Sequence, residues 1–358
     1  MLSCGAAKEG ARLVQSGFRR AFRAAAYGIL TIAALLIVSA ALVPLLISTD
    51  GASGAESGED LAPDGSRFAE IPGPGETTLQ IHIRDRGAAS EEPAWIFLHG
   101  FTFNAFSWDP LIQELPADRR LLAYDQLPYG LSSKPAAPKA DLDFYTRDAA
   151  VDRLWHLLEA EKIEQPVLVA NSAGAVIALE AARLKPQRIA GLILINPMAD
   201  LDRPELPAFI TSLPQTWRLS LWGARWLGET EALLERSYHD PGRITDDRRE
   251  KFHIHTRMAD WDRAWGGVLK RSLTERLDVG GPLDTIHTPT LVVVSEEDQV
   301  IPPEDSLNVA AQIPHAEASI LADCGHVPQE ECPNALRQLL AEKWPQVTAR
   351  YDQADEDP

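Results

Sequence analysis

The stretch Val167-Leu168-Val169-Ala170-Asn171-Ser172-Ala173-Gly174-Ala175 reads as an apolar strand, a tight turn of small residues and the start of an Ala-rich helix. A serine on such a bend is held with its hydroxyl above the sheet edge, and the following amide, at a helix N-terminus, faces a developing oxyanion. Small neighbours are needed because strand and helix backbones converge there. The usual form of this turn is G-x-S-x-G. Here Ala170 replaces the first glycine, and A-x-S-x-G alone is equally compatible with a purely structural turn. Its company separates the two readings. Trp95-Ile96-Phe97-Leu98 runs into His99-Gly100-Phe101, which puts the Phe101 amide where a second oxyanion donor belongs, while His99 itself reads as structural. Leu291 to Val294 is a buried-strand pattern followed by the acidic turn Glu296-Glu297-Asp298, and His326 follows 28 residues after Asp298. The chain order Ser172, Asp298, His326 differs from that of the chymotrypsin and subtilisin arrangements, and fits a strand-turn-helix serine site instead.

Such a site needs a sheet whose strands end on one edge. The chain supplies it by alternating short apolar runs with helical patterns, the mark of βαβ units. Expected strands are Gln80 to Arg84, Trp95 to Leu98, Leu121 to Tyr124, Val167 to Ala170, Leu192 to Asn196, Leu291 to Val294 and Ala318 to Leu321. Expected helices lie around Ala105 to Leu115, Tyr145 to Glu161, Ala173 to Leu184, Ser306 to Ile313 and Asn334 to Trp344. From about Asp200 to Thr288 there is no convincing strand, only Pro-punctuated helical pattern carrying Trp217, Trp222, Trp226, Trp261 and Trp265, so a helical cap is expected over 200–288. Those tryptophans serve either as packing for the cap or as an apolar roof over Ser172.

Five landmarks stand in order: the His99-Gly100-Phe101 turn, the loop Tyr124-Asp125-Gln126-Leu127-Pro128-Tyr129-Gly130-Leu131-Ser132, the Ser172 turn, the Asp298 turn and the Gly325-His326 turn. Through them the region from about 66 to 345 resembles the α/β-hydrolase superfamily. The resemblance implies a mostly parallel central sheet flanked by helices, formed by 67–199 and 289–348, with the helical cap inserted. It implies Ser172 as nucleophile, His326 as general base and later acid, Asp298 as its orienting carboxylate, and the amides of Phe101 and Ala173 as the oxyanion hole. Asp125 is expected to be structural, and Asp298 fits the family offset better than Glu296 or Glu297. Relatives that are dehalogenases or epoxide hydrolases carry aspartate at the nucleophile position, so Ser172 argues against both. The serine branch holds carboxylesterases, lipases and carbon-carbon bond hydrolases. Ester hydrolysis of a small, hydrophobic substrate is the first expectation, with no metal and no organic cofactor. Carbon-carbon bond hydrolysis, acyl transfer and a catalytically inactive binding protein of the same fold remain alternatives.

Composition sets outer limits. With 45% hydrophobic and 24% charged residues the chain can bury a large core. Its net charge of -18 would repel a phosphate backbone, so nucleic acid is not an expected partner. His253 and His255, two apart, would face different sides of a helix, which speaks against a metal pair. Nothing in the sequence sets an oligomeric state. The N-terminus is distinct. From Ala24 to Thr49 there are 26 residues without a charged side chain, enough to cross a bilayer as a helix. Lys8, Arg12, Arg19, Arg20 and Arg23 precede it, whereas Asp50, Glu56, Glu59, Asp60 and Asp64 follow it before Arg67. This asymmetry predicts a basic cytoplasmic N-terminus over 1–23, a transmembrane signal anchor over 24–49 and an extracytoplasmic catalytic domain. A signal peptide cleaved to leave a secreted or periplasmic protein is the alternative, with an h-region typically shorter than this one. Residues 50–66 are expected as a flexible acidic linker and 349–358 as an acidic tail. Cys324 and Cys332 could pair outside the cytoplasm, but their spacing leaves their state open.

Overall fold

The computed structural model describes residues 25–356 apart from 37, 52–53, 55, 76, 136–141, 201–205 and 276–277. The expected basic N-terminus, 1–23, lies outside the described residues. Eight strands form one sheet: β1 (Ser66–Pro72), β2 (Thr78–Arg86), β3 (Trp95–Leu98), β4 (Leu121–Tyr124), β5 (Val167–Asn171), β6 (Gly191–Ile195), β7 (Thr290–Ser295) and β8 (Glu317–Leu321). Their spatial order is β1-β2-β4-β3-β5-β6-β7-β8, and every pairing from β4 to β8 is parallel. β2 runs antiparallel to both β1 and β4. This is the α/β-hydrolase fold that the sequence implies.

The central strands are buried along their whole length, as continuous apolar runs must be when helices cover both faces. Period-two alternation sorts their side chains into two cores. Ile96, Leu98, Leu168, Ala170, Leu192, Leu194, Val292 and Val294 face one layer. Trp95, Phe97, Val167, Val169, Ile193, Leu291 and Val293 face the other. The helices are α1 (Ala25–Leu46), α2 (Asp109–Glu114), α3 (Arg147–Ala160), α4 (Gly174–Leu184), α5 (Pro214–Glu229), α6 (Ala232–Arg236), α7 (Asp246–His253), α8 (Trp261–Ser272), α9 (Pro303–Gln312) and α10 (Pro333–Glu356), with shorter turns between them. α3, α4 and α9 cover the first face, and α2 and α10 the second.

Three features differ from expectation. The strand β1 was not anticipated, because Arg67, Glu70 and Pro72 break its apolar alternation; it forms as an edge strand whose Arg67 joins Asp85 on β2 and Glu161 after α3, at 2.7 and 2.8 Å. The acidic segment expected as a flexible linker is docked from Glu56 onward. Ser57 caps a single turn, Gly58–Leu61, that buries Leu61 against Phe106, Leu131, Ile254 and Met258, and Glu56 pairs with Arg257 at 2.7 Å. One apolar residue and a capping box were enough to override a polar composition. The expected acidic tail is also not separate, since α10 continues through Pro345 to Glu356 and the Tyr351 hydroxyl donates to the Pro314 carbonyl.

Between β6 and β7 the described residues form only helices and turns, α5 to α8 among them. α1 is long and apolar enough to cross a membrane, with mean hydropathy 2.7 and little of it buried.

The core predicts a sharp contrast. Leu168→Ala in β5, fully buried, is expected to cost ~3 kcal/mol of unfolding free energy. Leu184→Ala, half exposed at the end of α4, is expected to change it by less than ~0.5 kcal/mol. Urea unfolding of the two variants checks this, and similar losses would contradict the assigned core.

Candidate active site

The carboxyl edge of the parallel strands collects all of the sequence-predicted site residues. β5 ends at Asn171 and α4 begins at Gly174, so the chain reverses direction within two residues. A Cβ at Gly174 would lie 2.6 Å from the Leu98 carbonyl oxygen and 2.8 Å from that of His99. Only glycine allows that approach. The same bend puts Ser172 at φ +53°, in the left-handed region that a non-glycine residue occupies only under constraint. Backbone bonds hold it there: the Ser172 amide donates to Ile195 at 3.1 Å, and its carbonyl accepts from Ala175 and Met198. Ala170, at the place of the usual first glycine, is buried in β5 without disturbing this geometry.

His326 follows β8 and is almost fully buried. Its Nδ1 lies 2.6 Å from Asp298 Oδ2, while Asp298 Oδ1 accepts from the Val300 and Ile301 amides at 2.7 and 2.9 Å. The carboxylate is thus fixed from both oxygens and can orient the ring with Nε2 turned away. Glu296 and Glu297 make no such bond to His326. Ser172, His326, Phe101 and Ala173 all line one cavity of about 330 Å³. Its remaining walls are mainly apolar, from Phe103, Met198, Val300 and Ile301 below and Leu233, Val268 and Leu269 of the cap above. The amides of Phe101 and Ala173 have no protein acceptor among the described residues. The tryptophans do not form the roof. Trp261 and Trp265 are buried inside the cap, and Trp222 and Trp226 face outward.

Several positioning residues were not anticipated. Asn171 and Asn196 both donate through Nδ2 to the His326 carbonyl, at 3.1 Å or closer, and Asn196 Oδ1 accepts from the Ser295 amide. Asn196 directly follows β6, at φ +46°. Glu331 accepts from the amides of Gly325, His239 and Asp240, which ties the histidine loop to the cap. Asparagines at two strand ends were the available signal. Cys324 and Cys332 are joined by a disulfide, closing the loop that carries His326.

His99 lies beside the serine turn. Its Nε2 accepts from the Gln126 amide at 2.9 Å and its Nδ1 therefore carries the proton, donated to the Gly100 carbonyl. Complete burial holds its pKa down to about 4. Asp125 accepts from the amides of Ala105 and Leu131 and from His82 Nδ1. Burial opposes its charge, yet these partners keep its pKa below the usual carboxylate range. A Cβ at Gly130 would overlap that carboxylate. Asp125 is therefore the staple of the loop after β4.

Fold and site together define this chain as a member of the alpha/beta hydrolase family, whose sequence profile matches residues 95–339. Among curated proteins it is 29% identical, over 66% of this chain and 80% of the other, to 2-hydroxymuconate semialdehyde hydrolase from Pseudomonas sp. strain CF600. Among solved structures, an esterase from Thermogutta terrifontis superposes with a TM-score of 0.61 at 22% identity, covering 79% of this chain and 99% of that one. A meta-cleavage product hydrolase from Pseudomonas fluorescens IP01 gives 0.59 at 22% identity, covering 78% and 98%.

A pH dependence of stability follows from His99. The unfolded chain protonates this ring below about pH 6.5 and the folded chain only near 4. Between those values the unfolded state holds more protons, so stability falls as pH drops, by on the order of 3 kcal/mol across the window. His255, buried against Trp265 with its pKa well below the ordinary value, acts in the same direction. Urea midpoints measured from pH 7 to 4.5 should decline, and should decline less in His99→Gln. Identical slopes would contradict the neutral, buried His99.

Proposed function

We propose that this chain is a membrane-anchored serine hydrolase that cleaves carboxylic esters through an acyl-enzyme intermediate. The observation that carries the reading is Ser172 at φ +53° in one cavity with His326, whose ring is held by Asp298 at 2.6 Å. In the proposed reaction His326 Nε2 removes the Ser172 hydroxyl proton as Oγ adds to the ester carbonyl carbon. The Phe101 and Ala173 amides stabilise the oxyanion, and Asp298 stabilises the imidazolium. Collapse of the adduct expels the alcohol, which takes the proton from His326. Water, deprotonated by the same ring, then adds to the acyl-enzyme, and Ser172 leaves with the proton as the acid is released.

Carbon-carbon bond hydrolysis is the second reading, supported by the name of the relative from strain CF600. The cavity lining favours the ester. Among the described residues its own lining holds no lysine or arginine to pair with a carboxylate-bearing substrate, Arg147 and Arg153 lining the adjoining pocket instead, and its apolar walls suit a neutral acyl group.

The full chain in detergent, treated with a fluorophosphonate probe and assayed on p-nitrophenyl esters, tests this. Wild type is expected to label and turn over, Ser172→Ala to do neither, and Asp298→Asn to lose ~10³-fold or more in kcat. Labelling that persists in Ser172→Ala would remove Ser172 from the mechanism. Ester turnover that is absent beside carbon-carbon cleavage would select the second reading.

For topology, the proposal is that α1 spans the bilayer with the N-terminus cytoplasmic. Its charged flanks and the Cys324–Cys332 disulfide, which suits an oxidising compartment, support this reading. Protease added to spheroplasts should digest the domain after residue 50 without lysis, and protection until lysis would reverse the orientation.

A further inference from the structure

α5 carries two apolar faces. Thr216, Ser220, Leu221, Ala224 and Gly228 are buried, and the helix packs there against α8, with Gly266 close to Leu221 and Gly223 close to Leu269. Leu219, Trp222 and Trp226, three and four positions apart, form a stripe on the opposite face. That stripe is open: Leu219 is 49%, Trp222 57% and Trp226 52% exposed. Just before α5, Phe209 is 72% and Leu213 45% exposed, extending the same apolar surface. Two tryptophans, a phenylalanine and two leucines exposed within 18 residues of the cap are more than packing of a soluble cap explains.

What covers this patch follows from what the helix is tied to. Gln215 Nε2 donates to the Ala41 carbonyl at 2.9 Å, one turn inside the apolar helix α1. Arg218 donates to the Ile47 carbonyl. Arg225 donates to the carbonyls of Ser48 and Asp50, and its Nε is anchored on the buried carboxylate of Asp262. Three side chains along one flank of α5 therefore fix it to the 10 residues over which α1 ends and the acidic segment begins. If α1 spans a bilayer, that segment is at the membrane-water boundary, and the stripe beside it is at the same depth. Tryptophan beside arginine is the pairing that settles at that boundary, with the indole among the upper acyl chains and the guanidinium at the headgroups.

We propose that the Phe209–Trp226 face of the cap lies in the outer interfacial layer of the bilayer that α1 spans, so that the cap is a second membrane contact. The inference rests on the membrane-spanning reading of α1. It gives the site a substrate source. α5 rests on the bilayer through one face and through the other supports α8, whose Val268 and Leu269 roof the cavity over Ser172. An ester dissolved in the outer leaflet then reaches the catalytic cavity through the cap.

The test uses the full chain reconstituted into phosphatidylcholine vesicles, with and without phosphatidylcholine brominated on the upper acyl chain. All nine tryptophans lie in the folded part of the chain and none in α1. Contact-range quenching by bromine therefore reports tryptophans of the cap surface. The expected result is quenching of on the order of one fifth of wild-type emission, lost in the Trp222→Phe/Trp226→Phe variant, which keeps the fold and its esterase activity on a soluble ester. Equal quenching of wild type and variant in vesicles that carry the inserted chain would overturn the cap contact alone. A chain that fails to float with the vesicles, or that carbonate extracts, would overturn the spanning reading of α1 and the cap contact with it.

Discussion

The approach of α4 to the end of β3 constrains everything else at the site. With the Gly174 Cα pressed against the Leu98 and His99 carbonyls, the chain has no room to relax between Asn171 and Ala173. The left-handed Ser172 is the geometric remainder of that packing. Such a conformer costs on the order of 1 to 3 kcal/mol and persists only where the surroundings over-determine it. Here they do. Strands β3, β5 and β6 are in parallel register, and the backbone bonds of Ser172 run to Ile195, Ala175 and Met198, so relaxing the serine would require opening the sheet. The strain is stored in the scaffold and delivered at one hydroxyl.

The histidine is held by a different principle. Its loop has no strand of its own beyond β8, and the chain positions it with polar side chains from neighbouring strand ends. Asn171 and Asn196 share the His326 carbonyl, Gln329 reaches Asn171 and Ser107, and Glu331 gathers three amides from loop and cap. The side chains of Ser107, Asn171, Asn196, Gln329 and Glu331 are all buried. Buried hydrogen-bonded networks fix one geometry because any slip leaves a polar atom unpaired at a cost of ~1 to 3 kcal/mol. Orientation of the imidazole is thus set from its backbone by amides and from its ring by Asp298.

What was legible in the sequence divides along the same line. The five central strand cores from Trp95 to Val294 were readable because continuous apolar runs of four or five residues, punctuated by helical periodicity, have few other solutions. The chemistry-bearing turns were readable because each joins a strand end to a glycine or a small residue. β1 was not readable, since this edge strand buries only Ala69 and Ile71 and tolerates charge and proline. The docking of Gly58–Leu61 was hidden as well, because it depends on contacts with Leu131 and Met258, some 70 to 200 residues away. Glu331 carried no local pattern. A residue that acts by bonding a distant carbonyl leaves no periodicity behind.

The cap illustrates how one composition can hide two roles. Five tryptophans in a helical insertion suggest a single aromatic cluster, and a roof over the serine is the natural use for it. The structure separates four of them by side, with Trp217 half-buried near Gly266 of α8. Trp265 stacks on His255 and meets Tyr129 edge-on, and Trp261 meets His255 and Trp265 edge-on, in the interior. Trp222 and Trp226 point the other way, beside the arginines that grip the end of α1. Aliphatic Leu233, Val268 and Leu269 are left to face the substrate. Aliphatic side chains there leave open a cavity of about 330 Å³ that indoles would narrow. Indoles outside supply what aliphatics lack at a membrane boundary, an apolar body with a polar edge. The division is therefore the one physical chemistry favours if the cap has one face toward a bilayer and the other toward an ester drawn from it.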